Sequence, residues 1–281
     1  MPNTPLPIFT VFNDVLCSLK KVSGDAATYE AEQILQHVLH CTRTGLYTSF
    51  NNMVSHEQHE QILAMVNRCM HNEPLSYVLG SVYFHSKEFI VTPDVLIPRP
   101  DTEVLVETVL NYERAQQCFF ADIGIGSGAI AASIIMQRPQ WTAVGVDSSI
   151  AALKIAHMNC SAQVNQCAAD ALSAFKPGTL FDFLVSNPPY ISETEKQELD
   201  ASVLDFEPHS ALFDNADGLT FYRLFAQQAK AYLKHGGSIY CEIGYLQGRD
   251  VTSLFTQHGW ADVTILPDLA GRDRVIVAKN S

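Results

Sequence analysis

The second part of the chain alternates short apolar segments with helical stretches, and this alternation restricts the possible fold more than any other feature. The segments are only four to six residues long and rich in apolar residues, which is typical of buried strands rather than helices. Strands and helices that alternate at this spacing form a mainly parallel sheet with helices on both faces. The sequence therefore predicts an α/β, doubly wound fold for residues 100–281. The predicted strands are 118–123, 142–147, 181–186, 238–243 and 275–278, and the predicted helices are 129–137, 149–159 and 220–233.

Residues 1–99 have a different pattern. Between residues 9 and 72, apolar residues recur at spacings of three and four, and Ser55 is a suitable N-cap, so this part is predicted to be a small helical bundle. β-Branched and aromatic residues at 77–84 and 89–91 predict a β-hairpin. The predicted organisation is thus a helical bundle at 1–78, a hairpin connector at 79–99 and the α/β domain at 100–281.

Composition excludes several classes of protein. The 281 residues carry a net charge of −12, which repels the phosphate backbones that a dedicated duplex-DNA binder must attract. The first twenty residues lack a basic segment, and no run approaches the length of apolar residues that crosses a membrane. Seven scattered cysteines without a C-x-x-C pair are typical of a reducing compartment. We therefore expect a cytoplasmic protein that does not contact membranes.

A glycine-rich loop follows the first predicted strand and opens a helix. Its sequence is D-I-G-I-G-S-G at residues 122–128, where glycines allow a sharp turn and close approach of a ligand to the backbone. The spacing is not the G-x-G-x-x-G of a nicotinamide oxidoreductase. Asp147 ends the next strand, 23 residues after Gly124, where a carboxylate can accept hydrogen bonds from both ribose hydroxyls. Either feature alone could be a plain turn or a helix cap, but together they favour an adenosine-containing cofactor.

The motif N-P-P-Y, residues 187–190, directly follows the predicted strand 181–186. Its two prolines fix the backbone and remove two N–H groups, which leaves carbonyl acceptors at the strand end. Asn187 adds a side-chain carbonyl and Tyr190 a flat aromatic face. Acceptors beside an aromatic face suit a planar –NH2 group, although a rigid turn would use the same residues.

With these motifs the chain resembles class I S-adenosylmethionine-dependent methyltransferases that act on a planar amino or amide nitrogen. Three further stretches make it similar to the PrmC/HemK family, which methylates the glutamine amide in the Gly-Gly-Gln motif of peptide chain release factors. They are P-L-S-Y-V-L-G at 74–80, I-P-R-P-D-T-E at 97–103, and E-P-H-S-A-L-F at 207–213 with Gly218-Leu219. The resemblance covers nearly the whole chain and implies a Rossmann-like methyltransferase sheet.

The resemblance also implies roles for individual residues. The glycine loop would wrap the methionine part of the cofactor, Asp147 would hold the ribose, and Asp170 with Ala171 would flank the adenine. The implied cofactor-binding residues are Gly124, Ile125, Gly126, Ser127, Gly128, Asp147, Ala171 and Asn187. The implied substrate-binding residues are Asn187, Pro188, Pro189 and Tyr190, of which Asn187, Pro188 and Tyr190 are expected to be catalytic.

The expected cofactor is S-adenosylmethionine, with S-adenosylhomocysteine as product and no metal. The expected partner is a release factor recognised by the helical bundle, with the enzyme acting as a monomer and without direct contact with nucleic acid. A methyltransferase acting on an exocyclic amino group of a nucleic-acid base is the alternative, because such enzymes share N-P-P-Y. It would need a cationic track, and the sequence contains no basic run. A binding module without activity is a third possibility, against which the intact N-P-P-Y motif argues.

Overall fold

The computed structural model describes residues 5–176, 178–214 and 216–281. The chain divides into two compact units, here called unit 1 and unit 2. Unit 1 comprises Met1–Gly80 and Ala201–Phe206, and unit 2 comprises Ser81–Asp200 and Glu207–Ser281. Residues 1–4 of the predicted bundle at 1–78 lie outside the described residues.

Unit 1 is helical, and its helices bury apolar faces against one another. The predicted N-cap is confirmed at Ser55: its hydroxyl accepts from the Gln58 N–H at 3.2 Å, and the Gln58 side chain accepts from the Ser55 N–H at 3.0 Å. One pair of two-residue strands, β1 with β2, was not predicted. The elements are β1 (Leu6–Pro7), α1 (Ile8–Ser23), α2 (Ala27–Leu39), α3 (Arg43–Thr48), β2 (Met53–Val54), α4 (His56–Met70), α5 (Leu75–Leu79) and, after the residues of unit 2 that intervene, α9 (Ala201–Phe206).

The prediction of strand at residues 77–79 is wrong, because these residues complete the short helix α5. The N–H groups of Tyr77 and Val78 donate to the Pro74 carbonyl, which closes a helical turn. Gly80 then ends the helix in the left-handed region at φ 78°. The β-branched and aromatic residues of this stretch reflect burial rather than strand, since Tyr77 and Val78 are both buried.

Unit 2 contains the hairpin and the large sheet. Its helices are α6 (Glu103–Tyr112), α7 (Ala129–Gln137), α8 (Ile150–Asn159), α10 (His209–Leu212), α11 (Thr220–Gln228) and α12 (Gly248–Gln257). Its strands are β3 (Ser81–Phe84), β4 (Lys87–Ile90), β5 (Phe119–Ile123), β6 (Thr142–Asp147), β7 (Val164–Ala168), β8 (Phe181–Ser186), β9 (Leu233–Glu242), β10 (Ala261–Pro267) and β11 (Asp273–Lys279). The sequence did not predict α6, α10, α12, β7 or β10.

The seven strands from β5 to β11 form one sheet in the order β10-β11-β9-β8-β5-β6-β7. β9, β8, β5, β6 and β7 pair in parallel in that order. At the β9 side of the sheet, β11 pairs antiparallel with β9, and β10 pairs antiparallel with β11. The predicted α/β, doubly wound fold is therefore confirmed. Alternate side chains along each strand are buried on opposite faces of the sheet. The rings of Phe120 and Phe183 stack on one face with their centroids 4.6 Å apart, while Ile123 and Leu184 lie on the other face.

The strand order brings the predicted motifs to one edge of the sheet. β5 lies between β6 and β8, with Ile123 paired to Val146 on one side and to Ser186 on the other. Because parallel strands end at the same edge, the loops after β5, β6, β7 and β8 are neighbours. None of the helices in the described part of the chain is long and apolar enough to cross a membrane.

Candidate active site

A cavity lies at the carboxyl ends of these parallel strands, within unit 2. It is lined by the loops after β5, β6, β7 and β8 and by the segment that follows the hairpin. Every predicted site residue except Gly128 and Tyr190 lines it. The site residues on the lining are Gly124, Ile125, Gly126, Ser127, Asp147, Ala171, Asn187, Pro188 and Pro189.

The glycine loop is held open toward the cavity by its backbone conformation. Gly126 has a φ of 54°, which side chains rarely allow, and a Cβ there would meet only its own loop at 3.9 Å. Gly128 serves packing instead, because a Cβ at that position would lie 2.5 Å from the Cys160 sulfur. The loop thus presents backbone to the cavity at one glycine and packs tightly on α8 at another.

Asp147 connects the glycine loop with the start of α8. Its Oδ2 accepts from the Gly126 N–H at 2.9 Å, and its Oδ1 accepts from the Ser149 N–H at 2.8 Å. A carboxylate has about four acceptor positions, so two remain for hydroxyl groups of a ligand. Asp147 therefore shapes the loop and offers acceptors to the cavity at the same time.

Ala169, Asp170 and Ala171, which follow β7, also line the cavity. Ala171 has a φ of 44°, a left-handed conformation that is uncommon for a residue with a side chain. Its methyl group offers no flat face. Phe221, at the start of α11, supplies the one aromatic ring among the described residues that line the cavity.

The amide of Asn187 is oriented by Thr102, a residue that the sequence analysis did not identify as functional. The Asn187 Nδ2 group donates to the Thr102 hydroxyl at 3.3 Å. Thr102 is only 4% exposed and precedes α6. With its amino group engaged, Asn187 keeps its carbonyl oxygen as the acceptor for a ligand.

Tyr190 is not part of the cavity lining, although the resemblance placed it at the substrate. Its hydroxyl donates to Oε1 of Glu242 at 3.2 Å, and burial raises the pKa of that hydroxyl above its ordinary value. The Tyr190 carbonyl accepts from Gln247 Nε2 at 3.0 Å, and Gly218 packs so closely that a Cβ there would lie 2.5 Å from the same oxygen. These contacts hold Tyr190, the last residue of N-P-P-Y, in place.

An ion pair ties the segment after the hairpin to the loop before α10. Arg99 pairs with the buried carboxylate of Glu207, which also accepts from the Ile97 N–H at 3.2 Å. Leu96, Pro98 and Arg99 belong to this segment and line the cavity. The I-P-R-P and E-P-H stretches, distant in sequence, thus form one wall together.

Asp122, the first residue of the D-I-G-I-G-S-G stretch, is fully buried beneath the loop. Its Oδ2 accepts from the Ala131 N–H at 3.1 Å, and Oδ1 has no hydrogen-bond partner among the described residues. Burial raises the pKa of Asp122 from 3.8 to about 7, and the Asp147 charge adds to the shift. The Ala131 N–H opposes both effects.

This pKa predicts a pH-dependent stability that Asp122→Asn should remove. A carboxyl whose folded pKa is raised binds its proton more tightly in the folded state, so its contribution is full below the unfolded pKa and is lost as pH rises toward 7. The free energy of unfolding of the wild type, relative to Asp122→Asn, should therefore fall between about pH 4 and pH 7. Urea unfolding of both proteins at several pH values, without ligand, measures this difference. A constant difference across that range would show that Asp122 is ionised throughout.

Several functional residues could not be found from sequence patterns. Thr102 and Glu242 contact the site residues Asn187 and Tyr190, and Glu207 contacts Ile97, in each case across more than fifty positions of the chain. Two of them could have been suspected from their place in the sequence, because Thr102 and Glu207 lie inside the stretches that carried the resemblance. Nothing in their spacing predicted their partners.

The strand order, the glycine loop after the first parallel strand, the acid at the end of the second and N-P-P-Y after the fourth together define a class I methyltransferase. A solved methyltransferase from Pyrococcus furiosus is similar in fold, with 12% identity, coverage of 80% of this chain and 98% of that chain, and a TM-score of 0.51. At that identity the likeness shows the fold alone.

Two family models match the chain: the PrmC N-terminal domain at residues 12–80 and the methyltransferase small domain at residues 100–205. A release factor glutamine methyltransferase from Koribacter versatilis is 37% identical over 273 residues, which cover 95% of this chain and 96% of the relative. One from Geobacter sulfurreducens is 38% identical over 252 residues, covering 89% and 88%. The chain belongs to the release factor glutamine methyltransferase family, and the family predicted from the sequence is confirmed.

Proposed function

We propose that this chain transfers a methyl group from S-adenosylmethionine to the side-chain amide nitrogen of the glutamine in the Gly-Gly-Gln motif of peptide chain release factors. The observation that carries the proposal is the shared cavity. One wall consists of the glycine loop and Asp147, and another consists of Asn187 and the two prolines. A cofactor site and an amide-binding site that open into one space allow direct transfer between two bound partners.

The residues of the cavity fit the proposed cofactor. Asp147 has acceptors left for the two ribose hydroxyls, and the backbone around Gly126 is open to a ligand. Ala171 and Phe221 provide an apolar place for the adenine, with the ring of Phe221 as a stacking surface. When bound, S-adenosylmethionine supplies an electrophilic methyl group on a sulfonium ion.

The glutamine amide that receives the methyl group requires residues that orient its nitrogen and raise the electron density on it. An amide nitrogen is a poor nucleophile because its lone pair is delocalised into the carbonyl. The Asn187 side-chain oxygen and the Pro188 carbonyl would each accept one N–H of the glutamine, which fixes the plane of the amide beside the cofactor. Both acceptors strengthen their bonds as positive charge develops on nitrogen, so they act mainly in the transition state. No dedicated base is required, since the alkylated nitrogen becomes acidic and releases its proton to water.

Unit 1 is proposed to recognise the release factor at a distance from the reacting glutamine. The net charge of −12 and the family membership support a protein partner rather than a nucleic acid. A monomeric, cytoplasmic enzyme is the simplest arrangement for this role.

Labelled S-adenosylmethionine tests the proposal directly. Label should transfer to a release factor and not to DNA or ribosomal RNA, and mass spectrometry should place the methyl group on the Gly-Gly-Gln glutamine. The matched control is the same factor with that glutamine replaced by glutamate, which removes the acceptor nitrogen and nearly preserves its shape. Transfer to a nucleic-acid base, or equal labelling of the glutamate factor, would overturn the proposal.

Recognition of the release factor away from the reacting glutamine, which the role of unit 1 requires, is tested with substrates of two sizes. If contacts distant from the glutamine provide recognition, the full-length factor should have a much lower KM than a short Gly-Gly-Gln peptide, with similar kcat. Equal KM values would place all recognition at the cavity.

A further inference from the structure

Asn159 carries a buried side-chain amide that has no part in the proposed transfer. It is the last residue of α8 and is 6% exposed. Its oxygen and its amino group all bond to backbone groups of unit 2, not to other side chains. Because a backbone N–H can only donate and a carbonyl can only accept, these partners determine which way the amide faces.

The first partner of the amide is the end of the hairpin. Asn159 Oδ1 accepts from the Ile90 N–H at 2.8 Å, and Nδ2 donates to the Ile90 carbonyl at 2.9 Å. The amide therefore pairs with the free edge of β4 as the backbone of a neighbouring strand would. Lys87 strengthens the same junction, since its Nζ donates to the Asn159 carbonyl at 2.6 Å.

The second partner of the amide is the glycine loop. Asn159 Nδ2 also donates to the Ser127 carbonyl at 2.9 Å, and Ser127 lines the cavity. Gly126 and Gly128, on either side of Ser127, both have positive φ, and glycine backbone has many accessible conformations. The loop is therefore held by contacts from outside it: Asp147 accepts from the Gly126 N–H, and Asn159 donates to the next carbonyl.

Ile90 is also where a second wall of the cavity begins. The segment 91–99 follows it, and residues 94–96, 98 and 99 of this segment line the cavity. Its far end is held by the ion pair of Arg99 with Glu207. Through Ile90, Asn159 holds the near end. One buried amide is thus bonded both to the glycine loop and to the residue from which the opposite segment starts.

We propose that Asn159 is a positioning residue for the cofactor, which joins the glycine loop to the start of segment 91–99 and so fixes two walls of the cavity before S-adenosylmethionine binds. The inference rests on the proposed function for the identity of the cofactor, whereas the bonds of Asn159 belong to the free protein. Asn159 does not line the cavity and acts through backbone groups.

Replacement of Asn159 by aspartate tests the proposal. Asp keeps the shape and one acceptor, but the carbonyls of Ile90 and Ser127 lose their donors. Only molecules with both walls in place bind well, so the Kd for S-adenosylmethionine, measured by calorimetry, should rise about 10- to 100-fold. The kcat at saturating cofactor and the KM for the release factor should stay within about threefold, because the bound cofactor itself holds the walls. Asn159→Leu, which adds no charge, should give the same split.

Asn280→Asp is the matched control. Asn280 Nδ2 donates to the carbonyls of Leu233 and Lys234 at 3.2 and 3.3 Å. Leu233 begins β9, which is parallel to β8, so these bonds lie at the edge of the sheet away from the cavity. The control should lose stability and keep its Kd for S-adenosylmethionine within about threefold. Equal weakening of cofactor binding in both variants, at equal loss of stability, would leave Asn159 a structural role only.

A measurement on the wild type requires no variant to fold. The Asn159 side-chain N–H₂ and the Ile90 N–H should be protected from hydrogen exchange in NMR spectra of the free protein. S-adenosylhomocysteine should slow their exchange at least about tenfold more than that of the Asn280 side chain, because a ligand bound between the two walls opposes their local opening. Equal slowing at both asparagines, or an unprotected Asn159, would overturn the inference.

The outcomes for the inference and for the proposed function are distinguishable. A Kd for S-adenosylmethionine within threefold of wild type in folded Asn159→Asp would overturn the role of Asn159 and leave the proposed transfer intact. A wild type that binds the cofactor but methylates no release factor would overturn the proposed function, and the Kd and exchange results would still decide the role of Asn159. A wild type that binds neither S-adenosylmethionine nor S-adenosylhomocysteine would overturn both.

Discussion

Asn187→Ala should lower the turnover number about 10²- to 10³-fold, because it removes one preorganised acceptor of the attacking nitrogen. Thr102 already holds the amino group of Asn187, so the side-chain oxygen is committed to the cavity before substrate arrives. Single-turnover rates with saturating S-adenosylmethionine and release factor measure this effect. Stability should change little, since Asn187 is half-buried at the mouth of the sheet.

Asn187→Asp is the control for this prediction. Aspartate keeps an acceptor oxygen of the same size but loses the N–H₂ group that donates to Thr102. If accepting a hydrogen bond is what matters, the aspartate variant should be clearly faster than the alanine variant and slower than the wild type. An alanine variant as fast as the wild type, or an aspartate variant no better than alanine, would remove Asn187 from the transition state.

Asp147→Ala should weaken S-adenosylmethionine binding at least about tenfold, because hydrogen bonds to a charged group contribute about 1.5–3 kcal/mol each. The substitution also frees the N–H groups of Gly126 and Ser149, so the glycine loop loses its shape together with its ribose acceptors. Calorimetry on the folded variant measures the affinity. Thermal unfolding without ligand, measured beside it, separates the structural part of the effect.

A ligand that lacks one ribose hydroxyl makes this prediction specific. The wild type should bind the 2′-deoxy analogue of S-adenosylhomocysteine more weakly than S-adenosylhomocysteine itself, and Asp147→Ala should bind the two alike. Asp147→Asn keeps one acceptor oxygen, so its discrimination between the two ligands should be smaller than that of the wild type and larger than that of Asp147→Ala. Equal discrimination by the wild type and the alanine variant would show that the ribose is held elsewhere.

Much of the architecture was predictable from local patterns. The strands 142–147 and 181–186 and the helix 129–137 were predicted with the bounds that the structure has. Buried parallel strands are short apolar runs ended by turn residues, which makes them visible in a sequence. The helix at 75–79 was missed, because burial selects the same apolar residues in a short helix as in a strand. The hydrogen bonds to the Pro74 carbonyl and the positive φ of Gly80 are what distinguish the helix.

The sequence by itself determined which chemistry meets at the sheet edge. Gly126 and Asn187 follow strands of one parallel sheet and Asp147 ends another, and the carboxyl ends of such strands are necessarily neighbours. Only the tertiary structure decided how those groups are oriented. Asn187 and Thr102 are 85 positions apart, and Tyr190 and Glu242 are 52 apart, so no local spacing relates them. The direction of a hydrogen bond depends on the buried partner at its far end, and the packing of the folded chain selects that partner.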